Sequence, residues 1–156
     1  MGHAYFRVFQ WKGDYYALGM PGVFFRSNNG LTDFREGPTL FTLDMRHSAV
    51  KVDGDKLLVF YTVAGDNPER ILLSEIDLTP DWMTWEETAP VVVLEPEEEW
   101  EGGGLPMVPS VRGAALEPVR QLRDPALFEE GNQSYLLYSV AGERGIAIAR
   151  LSWSRD

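Results

Sequence analysis

The sequence has no cysteine and only two histidines, His3 and His47. Disulfides, thiolate metal sites and cysteine nucleophiles are thereby excluded, and a transition-metal centre is not expected. No apolar run reaches the ~18 residues of a membrane span, so no membrane partner is expected. The start of the chain lacks the basic-then-apolar pattern of a signal peptide, which makes the cytoplasm the default compartment. Basic residues are scarce too: 14 Lys and Arg stand against 24 Asp and Glu, a formal net charge of −10. Such a field repels phosphate backbones and argues against nucleic acid as a partner. Part of the excess is local, because Glu95, Glu97, Glu98, Glu99 and Glu101 fall close together and read as a solvated loop. Helical periodicity is missing. Residues 81–87 could form one helical turn, but the Trp82/Trp85 pair suits a packed loop equally well. There is no phosphate-binding glycine loop, HExxH, nucleophile elbow or EF-hand loop. A Ca²⁺ held by Asp, carbonyl oxygens and water in a central channel is the one metal left open.

What is present is apolar and aromatic: 44% hydrophobic residues, with 12% Phe, Trp and Tyr. Aromatics favour strands and also line sugar-binding clefts. Internal repetition organises them. Residues 46–65, RHSAVKVDGDKLLVFYTVAG, align without a gap on residues 123–142, RDPALFEEGNQSYLLYSVAG. Identical pairs include Arg46/Arg123, Ala49/Ala126, Gly54/Gly131, Tyr61/Tyr138 and Gly65/Gly142. Each copy reads as a strand, a glycine turn and a return strand, which is a hairpin signature. A looser third copy opens the chain, with strands at 5–9 and 15–18 around Lys12-Gly13-Asp14. Aligning Gly13 with Gly54 sets its offset at 41 residues.

Third strands follow at 23–27, 71–76 and 146–151. Outer fourth strands are expected near 39–41 and 90–94, and none after Leu151. Three or four antiparallel strands every ~40 residues are the signature of propeller blades. The expected fold is therefore all-β, a partial β-propeller in one domain. Its three blades span residues 3–44, 45–95 and 121–156, with a Glu-, Gly- and Pro-rich loop insertion over 95–120 that is functional or mobile. Three blades fall short of a closed ring. The expectation is a homo-oligomer that completes the ring, or further blades preceding this chain.

In a propeller the innermost strands line the channel, and their first residues gather at one mouth. Those positions are Tyr5-Phe6-Arg7, Arg46-His47-Ser48 and Arg123-Asp124-Pro125. Asp124 is the leading catalytic candidate, because a carboxylate can stabilise a cationic, sugar-like transition state; the alternative is an Asp that satisfies backbone amides. His47 could bind a sugar hydroxyl or a metal-bound water, or act structurally. Arg46 and Arg123 are expected to pair with carboxylates, and Arg7 likewise; all three also count as candidate sugar contacts. Glycoside cleavage needs a second carboxylate, for which Glu117 and Glu101 in the insertion are the candidates. Glu36-Gly37-Pro38 reads as a turn and His3 as solvent-exposed.

The run Arg123-Asp124-Pro125-Ala126-Leu127-Phe128, its glycine turn and Tyr135-Leu136-Leu137-Tyr138-Ser139 resemble blades of five-bladed propeller glycosidases. These are the arabinanase- and xylosidase-like family 43, the invertase-like family 32 and their relatives. The resemblance implies a funnel-shaped active site and a carbohydrate substrate. It also implies a transition-state-stabilising role for Asp124 in its RDP triplet. The family's first-blade aspartate has no matching motif, which implies a C-terminal portion that is truncated and inactive alone. The alternative is a non-catalytic sugar-binding or protein-interaction module.

Overall fold

The computed structural model describes residues 3–152. Three antiparallel sheets follow one another along the chain. Blade 1 contains β1 (Arg7–Trp11), β2 (Asp14–Gly19), β3 (Val23–Ser27) and β4 (Arg35–Thr39). Blade 2 contains β5 (Met45–Asp53), β6 (Lys56–Val63), β7 (Ile71–Asp77) and β8 (Val91–Leu94). Blade 3 contains β9 (Arg123–Glu130), β10 (Gln133–Val140) and β11 (Gly145–Leu151). Strands are paired in sequence order within every sheet. The chain is thus an all-β, partial β-propeller of three blades. The outer strand judged missing after Leu151 would fall largely on residues 153–156, which lie outside the described residues.

The blades stack face to face through two apolar layers. Phe9, Leu18 and Phe24 of blade 1 meet Leu57, Val59, Tyr61 and Ile76 of blade 2, with Trp85 wedged among them at 2% exposure. The opposite face of blade 2 offers Leu58, Phe60 and Ile71 to Leu136, Tyr138 and Val140 of blade 3. Strand β6 therefore buries both faces, which is why Leu57 to Tyr61 forms an unbroken apolar run. Strand β10 alternates instead, with Leu136, Tyr138 and Val140 buried and Tyr135, Leu137 and Ser139 half-buried. Its outer face packs against no other sheet among the described residues, and there Phe128, Ile146 and Ile148 are 51%, 78% and 58% exposed. Strands β1, β5 and β9 come side by side, and Arg7, Val8, Ala49, Val50, Ala126 and Leu127 line one shared groove.

The ladders shift the first repeat by one residue. Closing pairs at the hairpin tips are Trp11↔Asp14, Asp53↔Lys56 and Glu130↔Gln133. Blade 1 is thus offset from blade 2 by 42 residues, not 41. The cause is turn type. Gly54 and Gly131 take positive φ, 61° and 59°, at the first turn position, whereas Lys12 (47°) and Gly13 (91°) are both left-handed. A turn with two left-handed residues has its glycine one place later, so matching glycines mis-set the register.

Three other expectations are corrected, and one left open is settled. Glu36-Gly37-Pro38 is not a turn but the middle of β4. Proline is tolerated there because β4 is an edge strand. Gly37 is required because a Cβ would lie 2.1 Å from the Trp82 ring. His3 is half-buried, donates from Nδ1 to the Met20 carbonyl at 2.9 Å and packs on Phe25. The acidic run is only partly a solvated loop: Glu95 pairs with Arg70, and Glu101 is buried at 5% exposure. Residues 81–87 combine both readings, with a 3-10 turn at Trp82–Thr84 capped by Asp81 and Trp85 in the core.

Candidate functional site

The 42-residue offset makes Tyr5, His47 and Asp124 equivalent positions in the three blades. All three are left-handed, with φ of 52°, 51° and 50°. Bulges interrupt the β5–β6 ladder between Arg46 and Ala49 and the β10–β9 ladder between Leu137 and Ser139, and account for His47 and Asp124; Tyr5 precedes β1, whose ladder with β2 is regular. A bulge turns a strand's first side chain away from the sheet, and a non-glycine residue in this region is strained by the order of 1–3 kcal/mol.

The three side chains meet. The Tyr5 hydroxyl donates to Asp124 Oδ1 at 2.9 Å. The Tyr5 and His47 rings lie 5.0 Å apart, and His47 Nε2 stands 3.7 Å from Asp124 Oδ1. Ser139 adds a longer bond to Asp124 Oδ2, at 3.3 Å. Together with Met20, Arg46, Arg112, Gly113, Ala114 and Glu143 they line an open cavity of about 410 Å³.

A buried ionic layer holds this mouth. Glu69, fully buried between β6 and β7, accepts Arg46 Nε and Nη2 at 2.9 and 2.6 Å. Its Oε2 lies 3.1 Å from Arg123 Nε. Arg123 also donates to Gln121 Oε1 at 2.7 Å and to Glu143 Oε1 at 2.9 Å. The two repeat-matched arginines then reach outward alike. Arg46 Nη1 donates to the Val111 carbonyl at 3.0 Å, and Arg123 Nη1 to the Gly113 carbonyl at 2.9 Å. The insertion is therefore strapped across the mouth rather than loose. Backbone bonds between Gly65 and Ser110 (2.9 Å) and between Arg120 and Pro106 (3.1 Å) fasten it further.

Burial lowers the His47 pKa below its ordinary value, with Arg46 and Arg123 adding to the effect against Asp124 and Glu69. The imidazole is neutral near pH 7. Its Nδ1 bonds the Thr62 hydroxyl at 3.1 Å. The Tyr5 phenol is pushed up to about 12, first by burial and then by its bond to Asp124. It keeps its proton and remains a donor. Arg46 and Arg123 are balanced by Glu69 and Glu143, and Arg112 pairs with Asp44. Asp124 has no arginine partner among the described residues, so the site disfavours anionic ligands and suits neutral polar ones.

Of the residues singled out in the sequence, Asp124, His47, Arg46 and Arg123 come together. Arg7 lies beside them, donating to the Ser48 carbonyl at 2.6 Å with its guanidinium over the Tyr5 ring, but it lines the neighbouring groove. Glu101 and Glu117 do not line the cavity. Glu101 accepts the Tyr138 hydroxyl at 2.8 Å and the Glu97 and Glu98 amides at 3.1 Å, holding the base of the strap. Glu117 is exposed on the strap. Glu69 and Glu143 were not visible from the sequence as site residues. The available signal was the need of two buried, repeat-matched arginines for a counter-charge. Among the described residues no three His, Asp or Glu side chains converge as metal ligands, and no helix is long and apolar enough to cross a membrane.

No protein-family model matches the chain. It is 38% identical over 167 residues to an uncharacterized protein of Acanthamoeba polyphaga mimivirus, covering 97% of this chain and 47% of that one. The chain thus spans about half the length of the curated relative it matches. Three solved structures share its fold. An endo-1,4-beta-xylanase from Bacteroides thetaiotaomicron gives a TM-score of 0.64 at 13% identity, covering all of this chain and 55% of that one. A thermostable family-43 glycoside hydrolase gives 0.60 at 17%, covering 86% and 45%. An alpha-L-arabinofuranosidase from Lactobacillus brevis gives 0.56 at 15%, covering 86% and 44%. The fold is therefore that of glycoside-hydrolase propellers.

Proposed function

We propose that the mouth binds a neutral saccharide, with Asp124 as the carboxylate that meets the sugar, in a glycoside-hydrolase-like propeller. The observation that carries this reading is the convergence of Tyr5, His47 and Asp124, equivalent in three blades, on one cavity. Asp124 is partly exposed and is joined to its neighbours by hydroxyl donors instead of a direct salt bridge from arginine. It retains lone pairs for sugar hydroxyls. The Tyr5 and His47 rings supply a flat, amphipathic wall.

Hydrolysis needs a carboxylic acid as well as a carboxylate. Glu143 is the other acid lining the cavity, but Arg123 and the Ala115 amide both bond its Oε1. Those contacts tie Glu143 to the strap and to Arg123, which leaves its carboxyl an acceptor site for sugar hydroxyls. That pairing favours binding without turnover by this chain alone.

Calorimetric titration with xylo- and arabino-oligosaccharides tests the reading. Saturable binding that Asp124→Asn weakens by about tenfold, the loss of a charge-assisted bond, is expected. Absence of binding to every oligosaccharide, or binding unchanged in Asp124→Asn, would overturn it.

A further inference from the structure

At the end of blade 1 away from the mouth, Arg26 of β3 and Arg35 of β4 stand directly opposite each other. Like charges in that relation repel. Asp14 neutralises one of them, its Oδ2 lying 2.7 Å from Arg26 Nη2. Arg35 has no hydrogen-bond or ion-pair partner among the described residues. The Nε of Arg26 is shielded from solvent and donates to no described residue, whereas its side chain as a whole is 39% exposed. Both arginines line a cavity of about 440 Å³ together with Asn28, Thr32 and Trp82. Asp33, on the same wall, accepts the Thr32 hydroxyl at 2.9 Å and forms no ion pair among the described residues.

We propose that this cavity is a second sugar site, specific for a pyranose that carries a carboxylate. The carboxylate lies between the guanidiniums and accepts from the terminal nitrogens of Arg26 and of Arg35; planar donor forks of this kind match carboxylate geometry. The ring rests on Trp82, whose indole is held by Gly37 beneath it. The Asn28 amide, which has no partner of its own among the described residues, takes a hydroxyl. The site shares no residue with the mouth and stands whether or not the mouth binds sugar.

The test is an NMR titration of the full ¹⁵N-labelled chain with glucuronate, glucose and inorganic phosphate in turn. The expected result is a saturable shift of the amides of residues 27–35 and of the Trp82 indole with glucuronate alone. Arg35→Ala, on an exposed edge strand, should raise the midpoint by about tenfold, the loss of a charged hydrogen bond. Its spectrum should otherwise superimpose on that of the parent, and Arg35→Lys should fall between. No saturable shift with glucuronate, an equal response to glucose or to phosphate, or an unchanged midpoint in Arg35→Ala would overturn the proposal.

Discussion

His47 Nε2 faces Asp124 Oδ1 at 3.7 Å, although 77 residues separate them in the chain. They hold one position in successive blades, and the third holder, Tyr5, bonds the same carboxylate. The backbone at all three is left-handed. Substitutions there should therefore follow backbone chemistry as well as contacts. Asn visits this region more readily than Ala. Asp124→Asn should cost less stability than Asp124→Ala, by about 1 kcal/mol. Parallel urea denaturation of the two variants measures the difference.

Glu69 should be the most sensitive single position. It is fully buried against two arginines that are themselves 3% and 1% exposed. Removing one partner of a buried ionic group leaves uncompensated charge, at a cost of about 3–5 kcal/mol. Glu69→Ala should show that loss in urea denaturation, or fail to fold. Replacement of the exposed Glu117 should stay within about ±0.5 kcal/mol.

Stability should depend on pH through His47. Its pKa is lowered in the folded chain, chiefly by burial, and lies near 6.5 in the unfolded one. The unfolded chain therefore binds a proton first as pH falls. The contribution is fully present above about pH 6.5 and is lost as pH drops through that value toward the folded pKa. An imidazole NMR titration should place the His47 midpoint below 6.5, and His47→Gln should flatten the stability slope in that window. A midpoint above 6.5 would contradict the burial argument.

The strap should loosen when its base is cut. Glu101 collects the Tyr138 hydroxyl and two backbone amides. Glu101→Ala should expose residues 102–120 to faster limited proteolysis, while the strands stay protected. Cleavage sites can be read by mass spectrometry.

Much of the fold was legible because it is local. Hairpins announce themselves through glycine turns and alternating apolar residues, and the Arg46/Arg123 match revealed equivalent blades. What was hidden was set by backbone geometry or by distance in sequence. The one-residue error in blade 1 arose because Lys12 adopts the conformation that Gly54 and Gly131 take elsewhere. Strand β4 was hidden by Gly37 and Pro38, residues that usually break strands; Trp82 from another blade explains the glycine. Asp124 and His47 stood out in the sequence because polar residues occupied the places where a strand should open. Glu69 was missed because its partners lie 23 and 54 positions away, and Glu143 because nothing local separates it from an ordinary turn acid.

The central claim is that three equivalent residues with left-handed backbone, Tyr5, His47 and Asp124, form one saccharide-binding mouth. Amide shift mapping with a neutral xylo-oligosaccharide addresses it directly. The account expects perturbations gathered at Tyr5, residues 46–48, residues 112–114, Asp124 and Glu143. Perturbations confined to the outer edges of the blades, or none at saturating sugar, would contradict it.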